Sequence, residues 1–205
     1  MSQTEAPTDQ QDTRAPRRKP ESLAKLKKSA RKLFVERGYH ATRPQDIARD
    51  AGLGHGTFYL HFPDKRACFL SFVDDAREEL DSYLRERVGD RRDLESTIAI
   101  TLSGIFDYAQ GNPGVLNAAM TDEAVIDAEG APAPPLLHRW GSDWGKMIAE
   151  TAQSREVIDG YDYEIVGQAI VGALHQVASE GFRSGRSREK LEKNLTRFIV
   201  RALKP

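Results

Sequence analysis

Residues 52–65 read GLGHGTFYLHFPDK. Glycines at 52, 54 and 56 lead into a crowded run of aromatic, histidine and leucine residues that Pro63 closes. On a helical wheel advancing about 100° per residue, Phe58 and Phe62 point the same way and define a buried side. Gly56, Thr57 and Leu60 then face away from it, flanked by His55, Tyr59 and His61. Gly56 lets a backbone come close, and the hydroxyls and imidazoles offer hydrogen bonds without bulk. Such a face suits the floor of a DNA major groove, where base edges and phosphates lie within reach of a short helix.

The residues upstream complete a helix, tight turn, helix pattern. Leu23, Leu26, Ala30, Leu33 and Phe34 recur at helical spacing, with Ser22 as the cap and Gly38 as the stop. Thr42-Arg43-Pro44-Gln45 fits the capping box, a hydroxyl followed three residues later by a glutamine. A short second helix follows, with Ile47, Ala48 and Ala51 inward, and Gly52 supplies a left-handed carboxyl cap. A third helix starts near Gly54 or His55. Pro63 and Asp64 open a fourth, whose first turn carries Lys65, placed to pair with a phosphate.

Charge is distributed to match. The net charge of the chain is −1, yet residues 14–66 hold 14 Lys and Arg against 5 Asp and Glu, whereas residues 67–205 are net acidic. A compact basic segment on an acidic body implies one polyanion-binding end. With 39% hydrophobic and 30% charged residues, the chain can build a core and keep a solvated surface. No apolar run approaches the roughly 18 residues of a membrane helix. The opening MSQTEAPTDQQDTRAPRRKP has no apolar signal region, so a cytoplasmic, membrane-free location is expected.

Beyond Lys65 the periodicity is helical throughout. A long fourth helix runs to about Val88 and a fifth spans Leu94 to Ala109. Asn112-Pro113 caps a sixth through Met120, and the stretch from Thr121 to Pro135 reads as a loop. A seventh helix carries Leu137, Trp140, Trp144 and Met147, Asp162 begins an eighth, and Leu191 to Ala202 form a ninth. The fold class is therefore all-α, a helix-turn-helix head joined by a long fourth helix to a helical bundle. Three regions are expected: a disordered basic arm (1–20), a DNA-binding head (21–66), and a ligand-binding and dimerisation body (67–205). Broad apolar faces with a few polar handles nominate pocket residues Phe72, Ala76, Ile105, Phe106, Tyr108, Met120, Trp140, Trp144, Met147 and His175.

The stretch FVERGYHATRPQDIARDAGLGHGTFYLHFPDKRACFLSFV resembles the TetR family of bacterial transcriptional regulators. The likeness runs from the glycine-aromatic after the first helix, through the DIA and AG turn, to T-F-Y-x-x-F-x-x-K. It implies that Thr42, Arg43, Tyr59, His61 and Lys65 hold phosphates. It also sets His55, Gly56 and Leu60 against bases, with Thr57 in either role. Gly54 departs from the serine usual there as the cap of the recognition helix, and His55 from a frequent lysine or arginine. The resemblance further implies that the last two long helices pair with those of a second copy, through Val166, Ile170, Leu174, Leu195, Phe198 and Ile199. A homodimer also follows from geometry, because one three-turn recognition helix reads few base pairs and a two-fold pair reads a palindrome.

The expected function is a repressor of a palindromic double-stranded operator, released by an unknown small-molecule effector. A constitutive or corepressor-type regulator is the nearest competitor, and an all-helical enzyme or scaffold the more distant one. Against catalysis stands the absence of G-x-S-x-G, H-E-x-x-H and a phosphate-loop lysine, and no catalytic residue, cofactor or metal is expected. Bringing His55, His61 and Cys68 onto zinc would turn Phe58 and Phe62 outward. The lone Cys68 sits among Phe69, Leu70 and Phe72 as a small core residue.

Overall fold

The computed structural model describes residues 15–90, 93–121, 136–152, 157 and 160–204. The expectations for arm residues 1–14 and for most of the loop before Leu136 lie outside the described residues. Among those described, every regular element is a helix. They are α1 (Ala15–Ala41), α2 (Pro44–Asp50), α3 (His55–Tyr59), α4 (Lys65–Val88), α5 (Leu94–Gly111), α6 (Val115–Thr121), α7 (Leu136–Ala152), α8 (Tyr163–Ser184) and α9 (Arg188–Leu203). No helix among these residues is long and apolar enough to cross a membrane. The chain divides into two units, Met1–Phe69 and Leu70–Pro205, so the first turn of α4 belongs to the first and its remainder to the second.

In the first unit, Leu26, Ala30, Leu33 and Phe34 of α1 bury against Ile47 and Ala48 of α2 and against Phe58 and Phe62. Phe34 packs edge-on to Phe69 and stacks on Tyr39. Each such ring removes enough apolar surface from water to contribute about 1.5–3 kcal/mol, so the aromatic residues set the positions of the short helices. Burial also pushes the Cys68 thiol up to about 12, in keeping with a core role.

Three expectations are corrected here. α1 begins at Ala15 rather than Ser22, so residues 15–20 of the expected arm are helical, with Pro20 inside the helix. The Arg-Arg-Lys run favours helix, and the Ser22 hydroxyl donates back to the Lys19 carbonyl (3.0 Å) instead of capping a start. The capping box does not form: the N-cap of α2 is Arg43, without a side-chain bond. Gly38, at φ 75 and ψ 172, breaks α1 and opens its last carbonyls. The Thr42 hydroxyl lies 2.8 Å from the Gly38 carbonyl oxygen and 3.2 Å from that of Leu33, closing the gap. Finally, α3 has five residues rather than three turns, because Pro63 brings no N–H with which to continue it. The Phe62 amide still bonds the Phe58 carbonyl (2.9 Å), which keeps both rings on one side.

The turn between α2 and α3 closes fully. Gly52, at φ 68, donates to Arg49 and Leu53 donates to Ala48 (2.8 Å), satisfying the last carbonyls of α2 in a Schellman motif.

The second unit is built around the crossing of α7 and α8. A side chain on Gly167 would meet the Gly141 carbonyl at 2.1 Å and the Gly145 amide nitrogen at 2.5 Å, and one on Gly145 would meet the Tyr163 carbonyl at 2.7 Å. Three glycines thus bring two backbones into contact. Around this crossing Leu102, Phe106, Trp144, Ile148, Ile170, Leu174, Leu195 and Ile199 form one core. Side chains cap the helices: Asp93 accepts from Ser96 N–H, Asp162 from Glu164 and Ile165, and Ser187 from Lys190. Arg188 ties α9 to α5 through Asp107 (2.6 Å) and the Ser103 carbonyl (3.1 Å).

Candidate nucleic-acid interface and ligand cavity

The buried side of α3 is fixed by Phe58 and Phe62, as the wheel requires. Opposite them, Tyr59 and Leu60 are 50% and 70% exposed, and His55 and Gly56 are also exposed. The His55 and Tyr59 rings lie edge to face at 5.2 Å. A side chain on Gly56 would meet nothing within 4 Å, so the helix presents bare backbone flanked by an imidazole and a phenol. Thr57 is half-buried beside this face, and exposed Arg43 stands at the start of α2. Such a surface offers hydrogen-bonding groups for base edges and phosphates at close approach.

Other residues expected on the interface are held differently. Thr42 is 0% exposed with its hydroxyl committed to α1. His61 Nε2 pairs with the Ser22 hydroxyl at 2.8 Å, joining the end of the α3 segment to α1. Lys65 Nζ donates to the Tyr39 carbonyl (3.0 Å) and lies 4.0 Å from the centre of the Tyr39 ring, so its charge braces the corner between α1 and α2. Part of the basic excess is also neutralised within the unit. Lys32 bonds Asp50 at 2.6 Å, which holds the Asp50 carboxyl below its ordinary range, and Arg49 pairs with Asp46.

Two cavities of the second unit bear on the expected pocket residues. The first, of about 460 Å³, is lined by Ile105, Phe106, Met120, Trp140 and His175, all expected. The structure adds Ala109, Asn112, Asn117, Leu137, Val171, Leu174 and Ser179. The second, of about 700 Å³, has Trp140, Trp144 and Met147 together with Arg77, Leu80, Asp81 and Leu84 of α4. Ile105, Trp140, Val171 and Leu174 line both. Phe72, Ala76 and Tyr108 line neither of the two. Phe72 and Ala76, on α4 itself, are buried, and Tyr108 sends its hydroxyl to Glu79 (2.9 Å). Asn112 was read only as part of a helix cap. The small neighbours Gly114 and Ala109 leave the space it borders and were the available signal.

Polar groups in these cavities are few. Arg77 pairs with Asp143 at 2.5 Å, and burial raises the Asp81 carboxyl above its ordinary value despite Arg77 nearby. The indole Nε1 of Trp140 is buried without a hydrogen-bond partner. Among the described residues no group of His, Cys, Asp and Glu could hold a metal ion.

The residues assigned to dimer contact divide in two. Ile170, Leu174, Leu195 and Ile199 are buried in the chain's own core, and Val166 packs partly against it. Phe198 is 61% exposed, and Ile165, not anticipated, is 66% exposed.

Comparison with known proteins agrees with this architecture. Residues 27–72 match the family described as bacterial regulatory proteins, tetR family. The fatty acid metabolism regulator protein of Bacillus subtilis (strain 168) is 21% identical over 152 residues, covering 74% of this chain and 78% of the relative. The fatty acid degradation regulator FadR of Bacillus halodurans superposes with a TM-score of 0.70 at 19% identity, covering 87% of this chain and 97% of that one. A gamma-butyrolactone receptor described as ArpA-like superposes at 0.65 with 20% identity, covering 92% and 90%. At such identities the superpositions speak for the fold alone, whereas the match over residues 27–72 falls on the helix-turn-helix itself. Residues 27–72 therefore carry the helix-turn-helix segment of the bacterial regulatory proteins of the tetR family.

Proposed function

We propose that the protein is a cytoplasmic repressor that binds a palindromic operator as a homodimer and leaves it when a small molecule fills the body. The observation that carries this reading is the exposed outer face of α3, with bare backbone at Gly56 between His55, Tyr59 and Leu60, on a helix whose other side is anchored by Phe58. Arg43 and the amino-terminal basic residues supply phosphate contacts, and Lys65 joins them if a phosphate displaces its hold on Tyr39. Exposed Ile165 on α8 and Phe198 on α9 support pairing with a second copy, since large apolar side chains at such exposure gain from being covered. Two-fold pairing spaces two recognition helices for half-sites about 34 Å apart.

The link between ligand and operator runs through α4. It lines the second cavity with Leu80 and Leu84 and is covalently continuous with the turn that carries Lys65. A ligand that shifts α4 changes head spacing, and a coupling of about 1–3 kcal/mol releases the operator 5- to 150-fold. A structural neighbour that is by name a gamma-butyrolactone receptor supports a body that senses small molecules.

Selection of binding sites from a random duplex pool tests the DNA reading. An enriched palindrome is expected, and uniform weak binding overturns it. Charge at Phe198 (F198E) should give monomers that lose tight operator binding, and a fully active monomer in sedimentation overturns the dimer. Reciprocity tests release, because an inducer must bind the operator-bound protein more weakly than the free one. A ligand that tightens operator binding would make the protein a corepressor-type switch.

A further inference from the structure

We infer that the 460 Å³ cavity takes an uncharged, mostly apolar molecule with a hydrogen-bond acceptor, such as a carbonyl, that pairs with the Trp140 indole N–H. The inference rests on the ligand-sensing reading above and names the chemical class that the body senses.

Two observations carry it. The first is the lining: among the described residues, no Asp, Glu, Lys or Arg borders this cavity. Its walls are apolar side chains with two asparagines, His175 and Ser179 as polar handles. Beyond the wall, the Arg188 guanidinium lies 5.8 Å from the centre of the Phe106 ring and is committed to Asp107 and Glu192. An ionised ligand would give up its hydration with no counter-charge in return, which is strongly unfavourable in an apolar enclosure. The second observation is Trp140. It lines the cavity, and its Nε1 is buried without an acceptor in the protein. A buried N–H left unpaired is costly, and an acceptor brought by a ligand removes that cost. The 460 Å³ volume lies within the range of small-molecule sites. The second cavity, which Trp140 also lines, has the opposite character, with Arg77, Asp81, Arg85, Asp90 and Asp143 in its lining, so it is the uncharged wall that singles out the first.

The test uses the full-length dimer and three probes of one chain length: methyl decanoate, decanoate and decylamine. Isothermal titration at pH about 8 leaves the acid ionised and the amine protonated. The ester is expected to bind at least about tenfold more tightly than either ion. The Trp140→Phe variant, which keeps the ring and removes the N–H, should lose about tenfold for the ester and little for the ions. A melting curve unchanged from the parent confirms that this variant is folded, and the comparison of the three probes on the parent stands without it. Decanoate or decylamine binding as tightly as the ester overturns the inference, as does failure of all three probes to bind. Ester binding that leaves operator affinity unchanged upholds the ligand class and counts instead against release of the repressor.

Discussion

Two helical glycines show how differently the two units use the absence of a side chain. Gly56 on α3 has open space where its side chain would be, and Gly167 on α8 has the backbone of α7 there, 2.1 Å away. The first leaves a surface bare for something outside the chain. The second lets two helices of the same chain touch. Identical residues on helices of one protein thus leave open surface in one place and bring backbones together in the other, and local sequence alone does not separate them.

The contrast breaks most visibly at Gly167. Gly167→Val should destabilise the body by about 3 kcal/mol or more, because the colliding atoms are backbone and have no rotamer to retreat to. Urea unfolding monitored by tryptophan fluorescence checks this, since Trp140 and Trp144 both lie in the second unit. Gly56→Leu is the mirror experiment. It should leave the melting temperature unchanged or slightly raised, because leucine is the better helix former. Operator affinity should fall about tenfold or more, near 1.4 kcal/mol, as the added side chain occupies the approach to the bases. Filter binding on a selected site measures it, and retained affinity would mean that the bare face of α3 is not the recognition surface.

Smaller effects sharpen the same comparison. Asp81, half-buried beside the second cavity, has its folded value raised by burial. The stability that goes with its protonation is fully present below its unfolded pKa and is lost as pH rises through the raised folded value. Asp81→Asn should therefore stabilise the protein at neutral pH, with the gain fading as pH falls toward the ordinary aspartate range. Thermal melts across pH test the sign. The smallest effect is expected at Gly54, the N-cap of α3. Its φ of −67 and ψ of 147 suit any residue, and a side chain there meets only Thr57 Oγ1, at 4.0 Å. Gly54→Ser should add a few tenths of a kcal/mol by capping α3, measurable as a small shift in urea midpoint.

What could be read from the chain itself followed from how locally each feature is determined. The order of the helices and the facing of Phe58 and Phe62 depend on residues a turn apart, so periodicity located them. The Gly52 turn depends on a single positive φ, and the sequence pattern of the motif marked it. The burial of Thr42 could not be read there, because its partner carbonyls belong to the preceding helix and are exposed only by the break at Gly38, a tertiary circumstance. The place of Ile170 and Leu174 in the chain's own core could not be read either, because apolar spacing on α8 gives the stripe but not which neighbour covers it. Most distant from sequence are the cavities, which are spaces among α4 to α8 that no single helix specifies.

The closed turn at Gly52 also bears on the thermodynamics of recognition. With the carbonyls of Ala48 and Arg49 satisfied and the Phe58 ring anchored beneath, α3 meets a duplex already ordered. A segment that folds as it binds gives up about 2–5 kcal/mol of its contact energy to ordering, and this one does not. Its association should accordingly show no gain of helix by circular dichroism and a heat-capacity change no larger than the buried surface accounts for. A five-residue reading helix can then suffice, because almost all of its contact energy remains available for binding.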